Sequence, residues 1–173
     1  ISMNIPNLLT LLRGAMIPIF YIIFFSDITN NFLWATVIFV IASLTDWLDG
    51  FLARRWNLVT NFGKIMDPLA DKLLVMTALI CLLAVFRIPP WAVIIILARE
   101  MAITGLRIIV ASEGVVVAAD ILGKLKTVFQ MLAIILLLLN NFIGIYVLYV
   151  AIFFTILSGI DYVKKMNRVV KWF

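Results

Sequence analysis

Long apolar runs alternate along this chain with short polar punctuation, and the runs have membrane length. About 20 predominantly apolar helical residues cross a bilayer core. Six stretches approach or reach that length, roughly 12–26, 32–54, 65–86, 90–112, 121–140 and 142–163. Turn-forming residues separate them: Ser26-Asp27 through Asn30-Asn31, Asn57 to Asn61, Pro89-Pro90, the stretch at Glu113-Gly114, and Asn140-Asn141. The first run is short and contains Pro18, and the segment from Asn4 to Arg13 before it reads as an interfacial amphipathic helix. The pattern predicts an all-α integral membrane protein, a six-transmembrane-helix bundle with an N-terminal interfacial amphipathic segment. It forms a single membrane domain over residues 3–173, with Ile1 and Ser2 before Met3 read as a cloning remnant and no cleavable signal peptide evident.

Composition strengthens this picture. Of 173 residues 65% are apolar and only 13% charged, against roughly 45–50% apolar in ordinary soluble domains. Lipid must solvate much of the surface. There is no histidine, which excludes His-ligated zinc, His-ligated haem and histidine acid–base chemistry. The lone Cys81 sits in an apolar run and reads as a small buried residue without an internal disulfide. Catalysis is left to carboxylates, Lys and Arg, Tyr and hydroxyls.

Basic residues orient the bundle. With a cytoplasmic N-terminus, Arg13, Arg54, Arg55, Lys64, Lys72, Arg107, Lys124, Lys126, Lys164, Lys165, Arg168 and Lys171 fall on one side. The opposite connections hold only Arg87, while Arg99 is mid-span. By the positive-inside rule both termini are cytoplasmic. The net charge of +5 then forms a rim suited to anionic lipid headgroups. Nucleic acid is not an expected partner, because no soluble basic face remains to hold it.

Four aspartates stand out against this background. Asp46 and Asp49 lie three apart, and Asp67 and Asp71 four apart, at the adjoining ends of the second and third runs. Those spacings place each pair on one helix face, and a short turn makes the two helices antiparallel neighbours. Two unit charges 4 Å apart at an effective dielectric of 20 interact by roughly 4 kcal/mol, so four clustered carboxylates need cations or protons. Hard oxygen ligands call for Mg²⁺, Mn²⁺ or Ca²⁺, and a two-metal arrangement suits displacement at phosphorus. Gly50, Ala53 and Gly63 leave bare backbone beside the acids, and Arg54 can fork onto a phosphate. Pairing of the acids with neighbouring Arg and Lys is the plainer alternative, but four acids and two glycines exceed what topology needs. A cation transporter is another, and it lacks the repeated halves such proteins usually carry.

The stretch from Asp46 to Asp71 fits D-x2-D-G-x2-A-R-x8-G-x3-D-x3-D at every fixed position. It resembles the signature of the CDP-alcohol phosphotransferase family. The resemblance implies a homodimer of six-helix subunits in a bacterial inner membrane, with the site open to the cytoplasm. It also implies two divalent cations, Mg²⁺ or Mn²⁺, held by Asp46, Asp49, Asp67 and Asp71, with Asp71 as general base. Asp49, Gly50, Ala53, Arg54 and Gly63 match the CDP-binding part. Further stretches are similar to the bacterial branch that acts on CDP-diacylglycerol and glycerol 3-phosphate: Asn4 to Arg13, Thr45 to Asn57, Ala98-Arg99-Glu100, and Gly123 to Gln130. Serine, inositol phosphate and phosphatidylglycerol are the alternative acceptors.

An acceptor with its own phosphate requires a second basic pocket. Arg99 and Arg107 are eight apart on the fourth run, about two turns and hence on one face. Lys124 and Lys126 open the fifth run from the cytoplasmic side. Arg107, Lys124 and Lys126 are the expected phosphate ligands, followed by Arg13, Thr10 and Arg99. Positive-inside anchoring is the competing role for the two lysines, and an ion pair with Glu100 for Arg99.

Overall fold

The computed structural model is all-helical and describes residues 5–55, 61–112, 114 and 121–170. Within these, side chains are described except at 5–7, 49, 50, 52–55, 61–65, 67, 169 and 170. Six helices follow in order: α1 (Ile5–Phe24), α2 (Asn31–Arg55), α3 (Asn61–Ala84), α4 (Pro90–Ser112), α5 (Ile121–Leu138) and α6 (Ile143–Val170).

Local chemistry explains the boundaries. Asn30 and Asn140 both take φ of 59°, and Gly114 takes 75°, the left-handed region that Asn and Gly enter most readily. Asn31 Nδ2 donates to the carbonyls of Phe24 at 2.8 Å and Ser26 at 3.1 Å, closing the end of α1. Asn141 Oδ1 accepts from the amide of Ile143 at 3.0 Å and caps α6. α1 is one continuous helix, so the polar–apolar segment before the first run joins that run without a break. Pro18 deprives the Gly14 carbonyl of a helical donor, yet the helix runs on through it.

Among the described residues, three helical stretches are long and apolar enough to cross a membrane: Asn31–Leu48, Ile121–Leu138 and Ile143–Arg168. The other three have identifiable reasons for falling short. The described apolar part of α1, Leu8–Phe24, is brief. α3 carries Lys64, Asp67, Asp71 and Lys72, and α4 carries Arg99, Glu100 and Arg107. Among those charges Asp67, Asp71, Arg99 and Arg107 are candidate site residues.

Packing divides the chain into two compact units, Ile1–Val85 and Phe86–Phe173. In the first, α1 packs on both α2 and α3, which also touch each other. Phe20, Phe24, Phe39, Leu74, Ala78 and Leu82 are buried there. The Phe20 and Phe39 rings lie 6.3 Å apart, and Ala35 and Ala42, two turns apart on α2, are fully buried. Small residues in that stripe let helices approach closely where lipid provides no hydrophobic drive.

In the second unit α6 is the hub, with α4 and α5 both packed on it. Ala133, Ile134 and Leu137 of α5 and Leu148, Ala151 and Ile152 of α6 are buried. Stacked pairs Trp91–Tyr149 at 5.8 Å and Phe129–Phe154 at 5.3 Å tie the helices together. Arg87 Nη1 donates to the carbonyls of Leu137 at 2.7 Å and Leu138 at 3.2 Å, so it caps the end of α5. Desolvation there lowers its pKa from the usual arginine value. α6 runs on to Val170, beyond the predicted end near 163. Tyr162 and Met166 bury against Ile103 and Val110 of α4, and Asp161 pairs with Lys165 at 2.8 Å one turn on. Outward, Ile94, Leu97, Met101 and Ile108 leave an exposed apolar face on α4, as expected of a helix solvated by lipid.

Candidate active site

The four signature aspartates occupy two packed helices. Asp46 and Asp49 lie in the second half of α2, and Asp67 and Asp71 in the first half of α3. Gly50, Ala53 and Arg54 follow on α2, and Gly63 precedes on α3. The side-chain surroundings of Asp49, Gly50, Ala53, Arg54, Gly63 and Asp67 lie outside the described residues. Asp71 is partly buried and engaged in a polar interaction.

Asp46 shows how α1 joins this site. Arg13, fully buried, places Nη1 2.8 Å from Asp46 Oδ1, whose side chain is 37% exposed. A guanidinium without water requires a partner, and the neighbouring helix supplies the candidate ligand itself. Arg13 was expected on the acceptor phosphate; the structure sets it against Asp46, one of the carboxylates expected to bind metal. Thr10, one turn earlier on α1, is also buried. It lines a cleft of about 290 Å³ between α1 and α3, with Leu11, Gly14, Ile17, Met66, Leu69 and Leu73 as largely apolar walls. Beside Asp46, Trp47 stacks on Phe51 at 5.8 Å, with an interplanar angle of 11°.

A second polar cluster lies in the other unit. Glu100 Oε1 accepts from Arg99 Nη1 at 3.0 Å and also from Lys126 Nζ. Arg99 Nη2 donates to Ser158 Oγ at 3.0 Å, and that hydroxyl donates to the Thr155 carbonyl at 3.1 Å. Helices α4, α5 and α6 thus meet through four polar side chains. Arg99, Glu100 and Lys126 are only 15%, 13% and 9% exposed.

The other expected phosphate ligands stand apart from this cluster. Lys124 is exposed, since two residues on a helix span more than half a turn. Arg107 is exposed and lies over the Tyr162 ring, 5.4 Å from its centroid. Arg99 and Arg107 do share the α6-facing side of α4, as their spacing predicts. The structure therefore groups Lys126 with Arg99, and neither Lys124 nor Arg107 joins them. Sequence reasoning missed Ser158 and the bridging role of Glu100. The pair Thr155 and Ser158, one turn apart within an apolar run, was the available signal, and a weak one, because hydroxyls in such helices usually bond to their own backbone.

Comparison with known proteins follows the same lines. Residues 3–157 match CDP-alcohol phosphatidyltransferase. The chain is 47% identical to a CDP-diacylglycerol–glycerol-3-phosphate 3-phosphatidyltransferase of Bacillus subtilis (strain 168), over 94% of both chains. It is 39% identical to the protein of that name in Rickettsia bellii, over 97% of this chain and 98% of that one. A Shigella flexneri serotype 5b protein of the same name is 40% identical over 93% of each. With the complete aspartate signature on two packed helices and a match over most of its length, the chain belongs to the CDP-alcohol phosphatidyltransferase family.

Proposed function

We propose that this chain transfers the phosphatidyl group of CDP-diacylglycerol to glycerol 3-phosphate, yielding phosphatidylglycerophosphate and CMP for phospholipid synthesis. One observation carries this reading: the unbroken signature from Asp46 to Asp71 occurs within near-full-length similarity to enzymes of that name. The protein is a multi-pass protein of a bacterial cytoplasmic membrane. All six helices cross, both termini face the cytoplasm, and two copies form a homodimer of single-domain subunits. Support for the orientation is the lone Arg87 outside against a dozen basic residues inside.

The residues present fit a hard divalent cation. All donors are carboxylate oxygens, and Asp46 is open enough for an ion to reach it. Asp46, Asp49, Asp67 and Asp71 would hold two ions, Mg²⁺ or Mn²⁺, which when bound offset charge on the pyrophosphate. Arg13 steadies the Asp46 carboxylate. Gly50, Ala53 and Gly63 give the nucleotide close access to backbone, and Arg54 forks onto its phosphate. Asp71 accepts the proton of the glycerol 3-phosphate 1-hydroxyl as that oxygen attacks the lipid-bearing phosphorus in line, and CMP leaves from the opposite side. Lys126 and Arg99 bind the acceptor's own phosphate, and Arg107 and Lys124 draw it in from the cytoplasmic rim.

The test offers purified protein, CDP-diacylglycerol and Mg²⁺ or Mn²⁺ with each acceptor in turn while CMP release is followed. Glycerol 3-phosphate should support turnover, and serine, inositol phosphate and phosphatidylglycerol should not. Release of CMP with serine but not glycerol 3-phosphate would replace the acceptor assignment within the same family.

A further inference from the structure

We propose that the groove between α4 and α6 seats one anionic phospholipid, with an acyl chain along its walls and the headgroup phosphate on Lys164 and Arg168. Such a seat is independent of the acceptor's identity, and only its leaflet rests on the proposed orientation.

The groove has a volume of about 390 Å³ and follows the contact of two parallel helices. Their common direction shows in the contacts: Arg99 bonds to Ser158, and further along Ile103 and Val110 bury with Tyr162 and Met166. Residue size explains the space. Ala102 of α4 and Gly159 of α6 both line it, and a Cβ added at Gly159 would lie 3.4 Å from Arg99 Cγ. Ile156, Ile160 and Val163 line it too and are 45%, 49% and 47% exposed. Polar groups along the groove have partners elsewhere. The Thr155 hydroxyl donates to the Ala151 carbonyl at 2.6 Å, and Arg99 commits Nη1 and Nη2 to Glu100 and Ser158. What faces Gly159 is the methylene stem of Arg99. The walls are hydrocarbon.

Length and charge identify the occupant. Thr155 and Lys164, both lining residues, are nine apart, about 14 Å along a helix. A bilayer core is about 30 Å thick, so the groove has the depth of one leaflet. That is the reach of a single acyl chain from interface to midplane. Lys164 stands exposed at one end. Arg168, one turn on and also exposed, shares its face of α6. Among the described residues that line the groove none is acidic, and nearby Asp161 is paired with Lys165. Two cations at the end of an apolar slot of leaflet depth match a phosphate carried on an acyl chain. A second copy of the chain fits less well. A two-fold contact through this face would bring the same cations together, with no carboxylate of the groove to pair them.

Native mass spectrometry of the full-length protein in detergent tests the seat, with dioleoylphosphatidylserine or dioleoylphosphatidylcholine titrated in and bound lipids counted. The first equivalent of the serine lipid should bind about 5- to 25-fold more tightly than the choline lipid, about 5-fold for each cation. Lys164→Gln should lower that preference about 5-fold, and Lys164→Gln combined with Arg168→Gln should remove it. Affinity for the choline lipid should stay within about 2-fold in both. Gly159→Leu fills the groove and should weaken the first equivalent of both lipids about 10-fold, the loss of roughly two buried methylenes. Should Gly159→Leu fail to fold, Ala102→Leu fills the groove from the other wall and carries the same expectation. Equal binding of the two lipids by the wild type, or a headgroup preference that survives the double variant, would overturn the proposal. Lipid binding unchanged in a filled-groove variant would overturn it as well, and a simultaneous loss of dimers would give the groove to a second copy.

Discussion

Arg13 carries its charge at zero exposure, and the pair with Asp46 at 2.8 Å offsets part of the cost of that burial. Because Asp46 itself keeps contact with solvent, its carboxylate can rehydrate if the arginine is lost. The stability cost of Arg13→Met is therefore that of an ion pair whose carboxylate can rehydrate, about 1–3 kcal/mol, and not that of a stranded ion. The functional cost is larger, since a carboxylate without its orienting partner binds a cation less well. Arg13→Met should weaken apparent Mn²⁺ affinity by about 10- to 100-fold, read by Mn²⁺ titration with spin-resonance detection. A change in the glycerol 3-phosphate KM with Mn²⁺ affinity intact would return Arg13 to the acceptor site. At Asp71 the expected defect is chemical. Asp71→Asn removes the proposed proton acceptor while nearly keeping shape, so CMP release should fall by about 10²- to 10⁴-fold, with CDP-diacylglycerol still bound in equilibrium dialysis. Substantial residual turnover would rule out its role as base.

At the scale of helices, the tightest constraint is the turn joining α5 to α6. A Cβ added at Gly144 would sit 2.8 Å from Leu137 Cγ and 2.9 Å from the Leu137 backbone nitrogen. Backbone cannot swing aside as a side chain can. Gly144→Ala should therefore cost about 1–3 kcal/mol as an overpacked contact, lowering the thermal midpoint in detergent. An unchanged midpoint would show that the hairpin relaxes. That constraint was invisible in the sequence, where Asn140-Asn141 announced the turn but nothing marked the glycine as a contact point. Helix existence, by contrast, was plainly legible, because apolar runs punctuated by Asn and Pro admit few other readings. The length of α6 was not, since its last turns are polar outward and stay helical through Tyr162 and Met166 burying on α4. The aspartate spacing was legible through Asp46, whereas its pairing to Arg13 depended on a helix crossing that no local pattern encodes. Lys124 and Lys126 looked equivalent in the sequence; helical rotation separates them, one exposed and the other nine-tenths buried.

For the molecule as a whole, the reading turns on how many helices cross the bilayer. Charge inside a span is expensive, about 2.5–3.5 kcal/mol per ionised residue at the centre of an isolated helix. α3 and α4 can bear theirs only if neighbours supply counter-charge. The structure shows that supply for α4, where Glu100 engages both Arg99 and Lys126. The loop between α3 and α4 should then lie outside, as should the loops at Asp27 and Asn141. With Cys81 replaced by Ala, single cysteines can be placed at Asp27, Phe86, Asn141 and Ser112, all of them exposed. A membrane-impermeant maleimide added to intact cells should label Asp27→Cys, Phe86→Cys and Asn141→Cys. It should reach Ser112→Cys only after the membrane is opened. Labelling at Phe86 is the decisive arm, because that position can face outward with both termini inside only if the charged helices α3 and α4 truly span. Protection of Phe86→Cys in intact cells would leave α3 and α4 on the cytoplasmic side and reduce the six-span topology to four.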